Sequence, residues 1–233
     1  MRFAIQLCGL VIGLPLQILI IGTLLRGGYR RFPFLFAYVV GDFMTTVVEV
    51  PSAVGYYRGS QWAAFAFPAV HWFNVVVMQV LVYAVVMSLI YQATGALRAR
   101  RIVRASLIAG AMLFAGISFL IHWNPALNRG SFMTPWIRDL NVCSSVLDLA
   151  LWALLIAARE KDHRLLLLSG GLGIQFAGEA MGTSVLQLAL STRSRAMSLT
   201  GSVVMLLADL VVLYIWWQAL RTAPVRKRLG VTL

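Results

Sequence analysis

Residues 165–190 read LLLLSGGLGIQFAGEAMGTSVLQLAL, and this stretch decides the fold class. At ~1.5 Å per residue it is long enough to cross a hydrocarbon core of about 30 Å with some tilt, so it predicts a spanning helix. Gly171, Gly178 and Gly182 follow one another at spacings of seven and four and share a face, on which another backbone can approach closely, as in small-xxx-small packing. About 100° further round, Gln175, Glu179, Thr183 and Gln187 recur every four residues and stack into a polar stripe. Lipid satisfies none of these groups, and a carboxylate or amide left in hydrocarbon costs several kcal/mol. The stripe must therefore face other helices or a wet cavity.

Composition places the whole chain in the same setting. Hydrophobic residues make up 60% and charged residues only 12%, against about 25% charged for an ordinary soluble domain. The net charge of +12 would suit a nucleic-acid partner, but the basic residues lie between long apolar runs and form no basic domain with interleaved aromatics. They read instead as topology signals and contacts to anionic lipid on the cytoplasmic side. The first apolar run, Phe3 to Leu25, contains Pro15 and Gln17 and has no small-residue cleavage site, so it is expected to stay as a helix. Cys8 and Cys143 are the only cysteines and their spacing is not that of a metal site.

Apolar windows between basic or turn-rich breaks predict an all-α, polytopic membrane protein, a single seven-transmembrane-helix bundle over residues 1–233 with no soluble domain. The predicted spans are 3–25, 33–56, 68–93, 102–123, 136–158, 165–190 and 197–220. With that count, fourteen Lys and Arg fall on one side, among them Arg26, Arg30, Arg31, Arg98, Arg101, Arg104, Arg164 and Arg221, and six on the other. The positive-inside rule then puts the N-terminus outside and the C-terminus in the cytoplasm. Trp62, Trp72, Trp123 and Trp136 gather near outer span ends and Trp216 and Trp217 near an inner one, the depth at which amphipathic rings settle. Pro33 and Pro68 suit first helical positions, whereas Pro15 and Pro51 each remove a hydrogen bond inside a span. The connection from Asn124 to Pro135 is expected to be an ordered loop or cap.

Only Glu160 and Asp162 of the eight carboxylates lie in a connection. Asp139 follows Arg138, and a local ion pair explains it. Asp42 and Glu49 share a face of the second span, and Glu49 stands beside the break expected at Pro51. Asp148, Glu179 and Asp209 lie near the middle of spans five, six and seven, so that with Asp42 they are expected to form a layer of acids at similar depth. No Lys or Arg lies at that depth. An ionised Asp at a helix centre costs about 2.5 to 3.5 kcal/mol on insertion scales, so these groups are expected to hold or share protons, bind a cation or contact water. The alternative is that they hydrogen-bond across helices to Gln175, Asn141 or Ser145 and fix the packing. The candidate ligand- or cation-binding set is Asp42, Glu49, Asp148, Glu179, Asp209, Gln175 and Asn141. His71, His122 and His163 are scattered, so neither haem nor catalytic zinc is expected, and no catalytic constellation, metal site or cofactor is assigned.

Retinal proteins need a lysine in the last span, and Lys161 and Lys227 lie outside every span. Zinc hydrolases of the ceramidase type need more histidines. Sugar carriers built from two three-helix repeats place prolines correspondingly in each half, and Pro15 and Pro51 have no counterparts after Pro135. The segments RRFPFLFAY, Arg30 to Tyr38, and SGGLGIQFAGEAMG, Ser169 to Gly182, resemble an uncharacterised group of bacterial seven-helix integral membrane proteins. That resemblance implies a multi-pass protein of the bacterial inner (plasma) membrane and carries no activity or site residue. The sequence reading is a protein, leaning away from an enzyme, that binds or translocates a cation, proton or small polar ligand through an acid-lined bundle. The alternative is a receptor-like or accessory subunit, or homo-oligomer, whose polar stripes meet partner helices.

The charge split makes the topology testable. A reporter active only in the cytoplasm should work when fused after Leu220 and fail when placed near Asn128; activity at both positions would end the seven-span arrangement.

Overall fold

The computed structural model describes residues 2–57, 61–94, 100–122, 129–157, 163–192 and 194–221. Within those helices the side chains of Cys8, Glu49, Pro51, His71, Arg138 and Gln187 lie outside the described set, as do the loop at Asn124 and the tail beyond Arg221. The described residues form seven α-helices and one 3-10 turn: α1 Arg2–Leu25, the turn Gly28–Arg30, α2 Pro33–Tyr57, α3 Gln61–Ala93, α4 Arg100–His122, α5 Arg129–Ala157, α6 His163–Thr192 and α7 Arg195–Arg221. Five of these contain stretches long and apolar enough to cross a membrane, Phe73–Ala93, Arg104–His122, Asp139–Ile156, His163–Leu186 and Ala196–Arg221, while Gly9–Leu25 and Pro33–Val48 are shorter apolar stretches. The chain is thus an all-helical protein compatible with a bilayer.

Helix limits differ from the sequence reading mainly at two prolines. α3 begins at Gln61 and α5 at Arg129, so Pro68 lies inside a helix rather than at its start, and residues 129–135, expected as the end of a loop, are helical. Proline is accommodated in packed membrane helices, where neighbours re-satisfy the freed carbonyl, and the apolar window misses helix that extends into polar sequence. α1 stops at Leu25 because Gly27 turns with φ 124°, a conformation that glycine adopts without Cβ strain.

Contacts between helices run α1 to α2, α2 to α3, α3 to α5, α5 to α6, α6 to α7 and α7 back to α1. Six helices therefore close a ring, and α4 packs outside it, mainly on α5. On α4 the apolar side chains Met112, Leu113, Leu120 and Ile121 are all exposed, a surface that hydrocarbon accepts and water does not. Inside the ring the buried apolar residues concentrate at one end: Ile20 and Leu24 of α1, Leu35 and Val39 of α2, Val85 to Ile90 of α3, Leu151 and Leu155 of α5, Leu168 and Leu172 of α6, and Val212 to Ala219 of α7. This is the end that carries Arg26, Arg30, Arg31, Arg104 and Arg221. Toward the other end, Met44, Val47, Val48, Phe73 and Met181 are exposed. Among the described residues, the ring is packed dry at its basic end and looser beyond.

The tightest seam joins α6 to α7. A Cβ on Gly182 would lie 3.0 Å from the Gly201 carbonyl oxygen, and one on Gly201 would lie 2.9 Å from the Gly182 carbonyl oxygen, so the two backbones meet. Gly178 faces Ala208 and Gly171 faces the Trp216 indole. The three glycines of α6 are the face along which α7 lies, as their spacing predicts.

Replacing Gly178 or Gly182 with Leu should therefore lower stability by about 1–3 kcal/mol through overpacking, read as an earlier melting transition in detergent. The same change at Gly110 or Gly116 of α4, where an added Cβ meets nothing within 4 Å, should leave melting unchanged. Equal melting of all four variants would refute the seam.

Candidate functional site

A polar layer sits on the dry end of the ring and is built from five of its helices. On α1, Gln17 is buried and donates from Nε2 to Asp42 Oδ2 of α2 at 2.6 Å. One helical turn before Asp42 in α2, Tyr38 is buried, and its hydroxyl accepts a hydrogen bond from Gln175 Nε2 of α6 at 2.9 Å. Gln175 also reaches Glu179 Oε1 at 3.5 Å, and Asn141 of α5 donates from Nδ2 to Glu179 Oε2 at 3.2 Å. Asp209 of α7 is exposed. Tyr38, one turn from Asp42 and bonded through Gln175 to Glu179, is where the hydrogen bonds of α2, α5 and α6 meet.

Tyr38 is held by more than one hydrogen bond. Its ring meets Trp216 of α7 edge to face, with centroids 5.7 Å apart at 76°. The Trp216 indole N–H donates to the Leu168 carbonyl of α6 at 3.1 Å. Trp216 is 1% exposed, so it is a core residue rather than a surface one. Gly171 leaves room for the indole against α6 and a backbone carbonyl satisfies its polar end. Trp217, with the Arg221 guanidinium 5.2 Å above its ring, is the one of the pair that remains partly exposed.

The expected four-acid layer divides in two. Asp148 of α5 is buried and accepts a 2.6 Å hydrogen bond from Ser169 Oγ of α6, which is 0% exposed. Asn141, which bonds Glu179, lies seven residues from Asp148 on α5, about 10 Å along its axis, so Asp148 sits deeper in the apolar end than Glu179. Residue counts along separate spans cannot give this offset, because they carry no information on where one helix stands against the next. For Asp139 the expected partner Arg138 lies outside the described side chains. Its described partners are Ser118, whose Oγ donates to Oδ2 at 2.7 Å, and His122 at 3.7 Å, both on α4, so it ties the outlying helix to the ring.

The sequence reading singled out Asp42, Asp209, Glu179, Gln175 and Asn141, which the structure brings together; the side chain of Glu49 is outside the described residues. It did not single out Tyr38, Ser169 and Trp216, and it noted Gln17 only as part of an apolar run. For Gln17 the signal was present: an amide in the middle of an apolar helix needs a partner. Thr45 and Thr46 spend their hydroxyls on the Asp42 carbonyl, at 2.9 and 2.8 Å, and Thr183 on its own helix at Glu179, so they hold backbone rather than ligand. Cys143 is a free thiol 3.6 Å from the Tyr83 hydroxyl.

What the layer offers a ligand is negative charge and acceptor oxygen. The Oε1 atoms of Gln17 and Gln175 are both buried and take no hydrogen bond from the protein. Each amide gives its N–H side to an acidic or phenolic oxygen and keeps its carbonyl unused. Among the described residues, no three His, Cys, Asp or Glu side chains converge closely enough to hold a metal ion.

The Asp148–Ser169 pair is separable from this layer. Asp148→Ala leaves a fully buried hydroxyl unpaired and should cost about 1–3 kcal/mol, while Asp148→Asn keeps an acceptor for Ser169 and should cost less. Ser169→Ala should destabilise, and the double variant should melt above the sum of the two single losses. A Ser169→Ala variant that melts like the parent would show that the bond contributes nothing.

No family model, curated protein or solved structure matches the chain at a significant level.

Proposed function

We propose that this is a seven-span protein of a bacterial inner membrane, N-terminus outside, whose ring of helices binds or passes an electropositive species: a cation, a proton or a small polar ligand rich in donors. One observation carries the reading. Asp42, one turn from Tyr38 on α2, is bonded to Gln17, Tyr38 is joined through Gln175 to Glu179, and the amide oxygens of Gln17 and Gln175 beside these acids take no hydrogen bond from the protein. Acids that only cemented packing would each be matched by donors, as Asp148 is by Ser169. Here the donor count falls short: Asp209 has no hydrogen bond among the described residues, and the amide oxygens add acceptors to a place already rich in them.

The surroundings supply the two other things such a site requires. No Lys or Arg stands near the middle of any span to neutralise the acids, so a cation or protons must do so. Beneath them the packed layer around Trp216, Leu168 and Leu172 closes the ring, while Asp209 and Thr183 are exposed on the other side. With the positive-inside orientation, the site opens outward and is sealed toward the cytoplasm, an occluding floor with a charged layer above it. Tyr38 belongs to that floor and touches the layer, so its bond to Gln175 is the place where ligand chemistry and closure connect.

Glu179→Gln preserves shape and an acceptor while removing charge, and it should fold like the parent. In liposomes it should lose proton or cation flux, or ligand-induced stabilisation, by about tenfold or more, equivalent to roughly 1.4 kcal/mol of lost interaction; Asp209→Asn should act in the same direction. Mass spectrometry after gentle purification from native membranes would identify what the parent retains. A parent silent in every flux and ligand assay that copurifies with another membrane protein would favour the accessory-subunit reading instead, and a Glu179→Gln variant with full flux would end the present one.

A further inference from the structure

Away from the ring interior, the seam between α3 and α4 forms an open groove lined by Tyr91, Arg101, Arg104, Ala105 and Ile108. Arg104 is fixed in it. Its Nε donates to Thr94 Oγ1 at 2.8 Å and its Nη2 to the Tyr91 carbonyl at 2.6 Å, and its guanidinium lies 3.7 Å above the Tyr91 ring. Thr94 is itself fully buried and anchored to the Ile90 carbonyl. Every one of these partners is neutral, so the side chain is oriented with no counter-charge beside it among the described residues. Arg101, one turn earlier on α4, is exposed and has no hydrogen bond or ion pair among the described residues. The lining contains no carboxylate.

We infer that this groove binds the phosphodiester headgroup of an anionic phospholipid, held between Arg101 and Arg104. A guanidinium presents parallel N–H donors that match phosphate oxygens, and Arg104, already oriented by Thr94 and Tyr91, loses little freedom when a phosphate arrives. The occupant is lipid rather than free phosphate because the other wall is apolar. Ala105, Ile108 and Met112 continue the Arg101 and Arg104 face up α4 at helical spacing, and Ile108 and Met112 are exposed. α4 stands outside the ring and touches α3 only sparsely, which leaves a seam along which an acyl chain can lie once its headgroup is seated. The groove is at the basic end of the bundle, where the charge split already calls for anionic lipid. It lies outside the acid layer, and its test is independent of any transported species.

The full-length protein, purified in a neutral detergent, would be titrated with phosphatidylglycerol and with phosphatidylcholine of the same acyl chains, and bound lipid counted by native mass spectrometry. Phosphatidylglycerol should be retained in preference. Arg101→Gln and Arg104→Gln should each weaken its binding about fivefold, the effect of removing one basic contact at a lipid surface, with phosphatidylcholine unaffected. Arg104→Gln also removes the ties to Thr94 and Tyr91 and could loosen α4, so the decision rests on Arg101→Gln, whose side chain supports no packing. Equal retention of the two lipids by the parent, or parent-like binding by Arg101→Gln, would overturn the inference. So would millimolar inorganic phosphate displacing the lipid, since the groove would then read a free anion.

Discussion

The contact on which the rest of the arrangement depends is the meeting of two backbones at Gly182 and Gly201. In a bilayer there is no hydrophobic force to draw helices together, so association rests on close van der Waals fit and on buried hydrogen bonds. Small residues at Gly171, Gly178 and Gly182 let α7 lie directly on α6 along several turns. That closeness seats the Trp216 indole against Gly171, within reach of the Leu168 carbonyl. Trp216 in turn braces the Tyr38 ring, and Tyr38 receives Gln175, whose amide also faces Glu179. A glycine seam between two helices is thereby connected, contact by contact, to the charged layer. Anything that widened the seam would move Trp216 first and the acids last.

The distribution of burial along the ring gives that chain its direction. Apolar side chains fill the basic end, where Leu151, Leu168, Val85 and Ile20 are buried from four helices, and the polar groups begin where this filling stops. Two acids show the difference. Asp148, in the filled end, has Ser169 as a dedicated donor and is shut away at 3% exposure. Glu179, above it, shares Asn141 and Gln175 with other claims on their donors and is only partly covered. The same residue chemistry thus does structural work at one depth and is left under-satisfied at another, and the boundary between them is the Tyr38–Trp216–Gln175 contact.

Much of this was legible in the chain and some of it could not have been. The glycine face and polar stripe of residues 165–190 follow from helical spacing alone, and α7 lies on the face that the glycine spacing marks. The fit of α1 to α2 through Gln17 and Asp42 is not readable in the same way, because the two residues are distant in sequence and nothing local fixes their relative height. The same ignorance of offset merged Asp148 with an acid about 10 Å away along the helix axis. That Trp216 is buried was not legible either, because the room left for it by one glycine depends on how α6 and α7 meet. Pro68 reads as a start because a lone proline in apolar sequence signals a boundary on average, whereas the cost of an interior proline depends on which neighbours can reach the freed carbonyl.

The position of α4 bears on how the two ends of the molecule are tied. It joins neither the ring nor the acid layer, and its ties among the described residues include Arg104 to Thr94 and Tyr91 of α3 at the basic end, and near the other end Ser118 and His122 to Asp139 of α5 and the Trp136 indole of α5 to the Ala115 carbonyl, its ring edge to face with Phe119. Between those polar clasps its surface is apolar and largely exposed. A helix held at its ends and sparsely packed along its length has little to fix it but the clasps and the lipid around it, since apolar side chains gain nothing by leaving hydrocarbon for a neighbouring helix. Closure of the ring by the α1–α7 contact does not involve α4, which therefore stands against the outside of the ring and carries Arg101 and Arg104 there at the basic end.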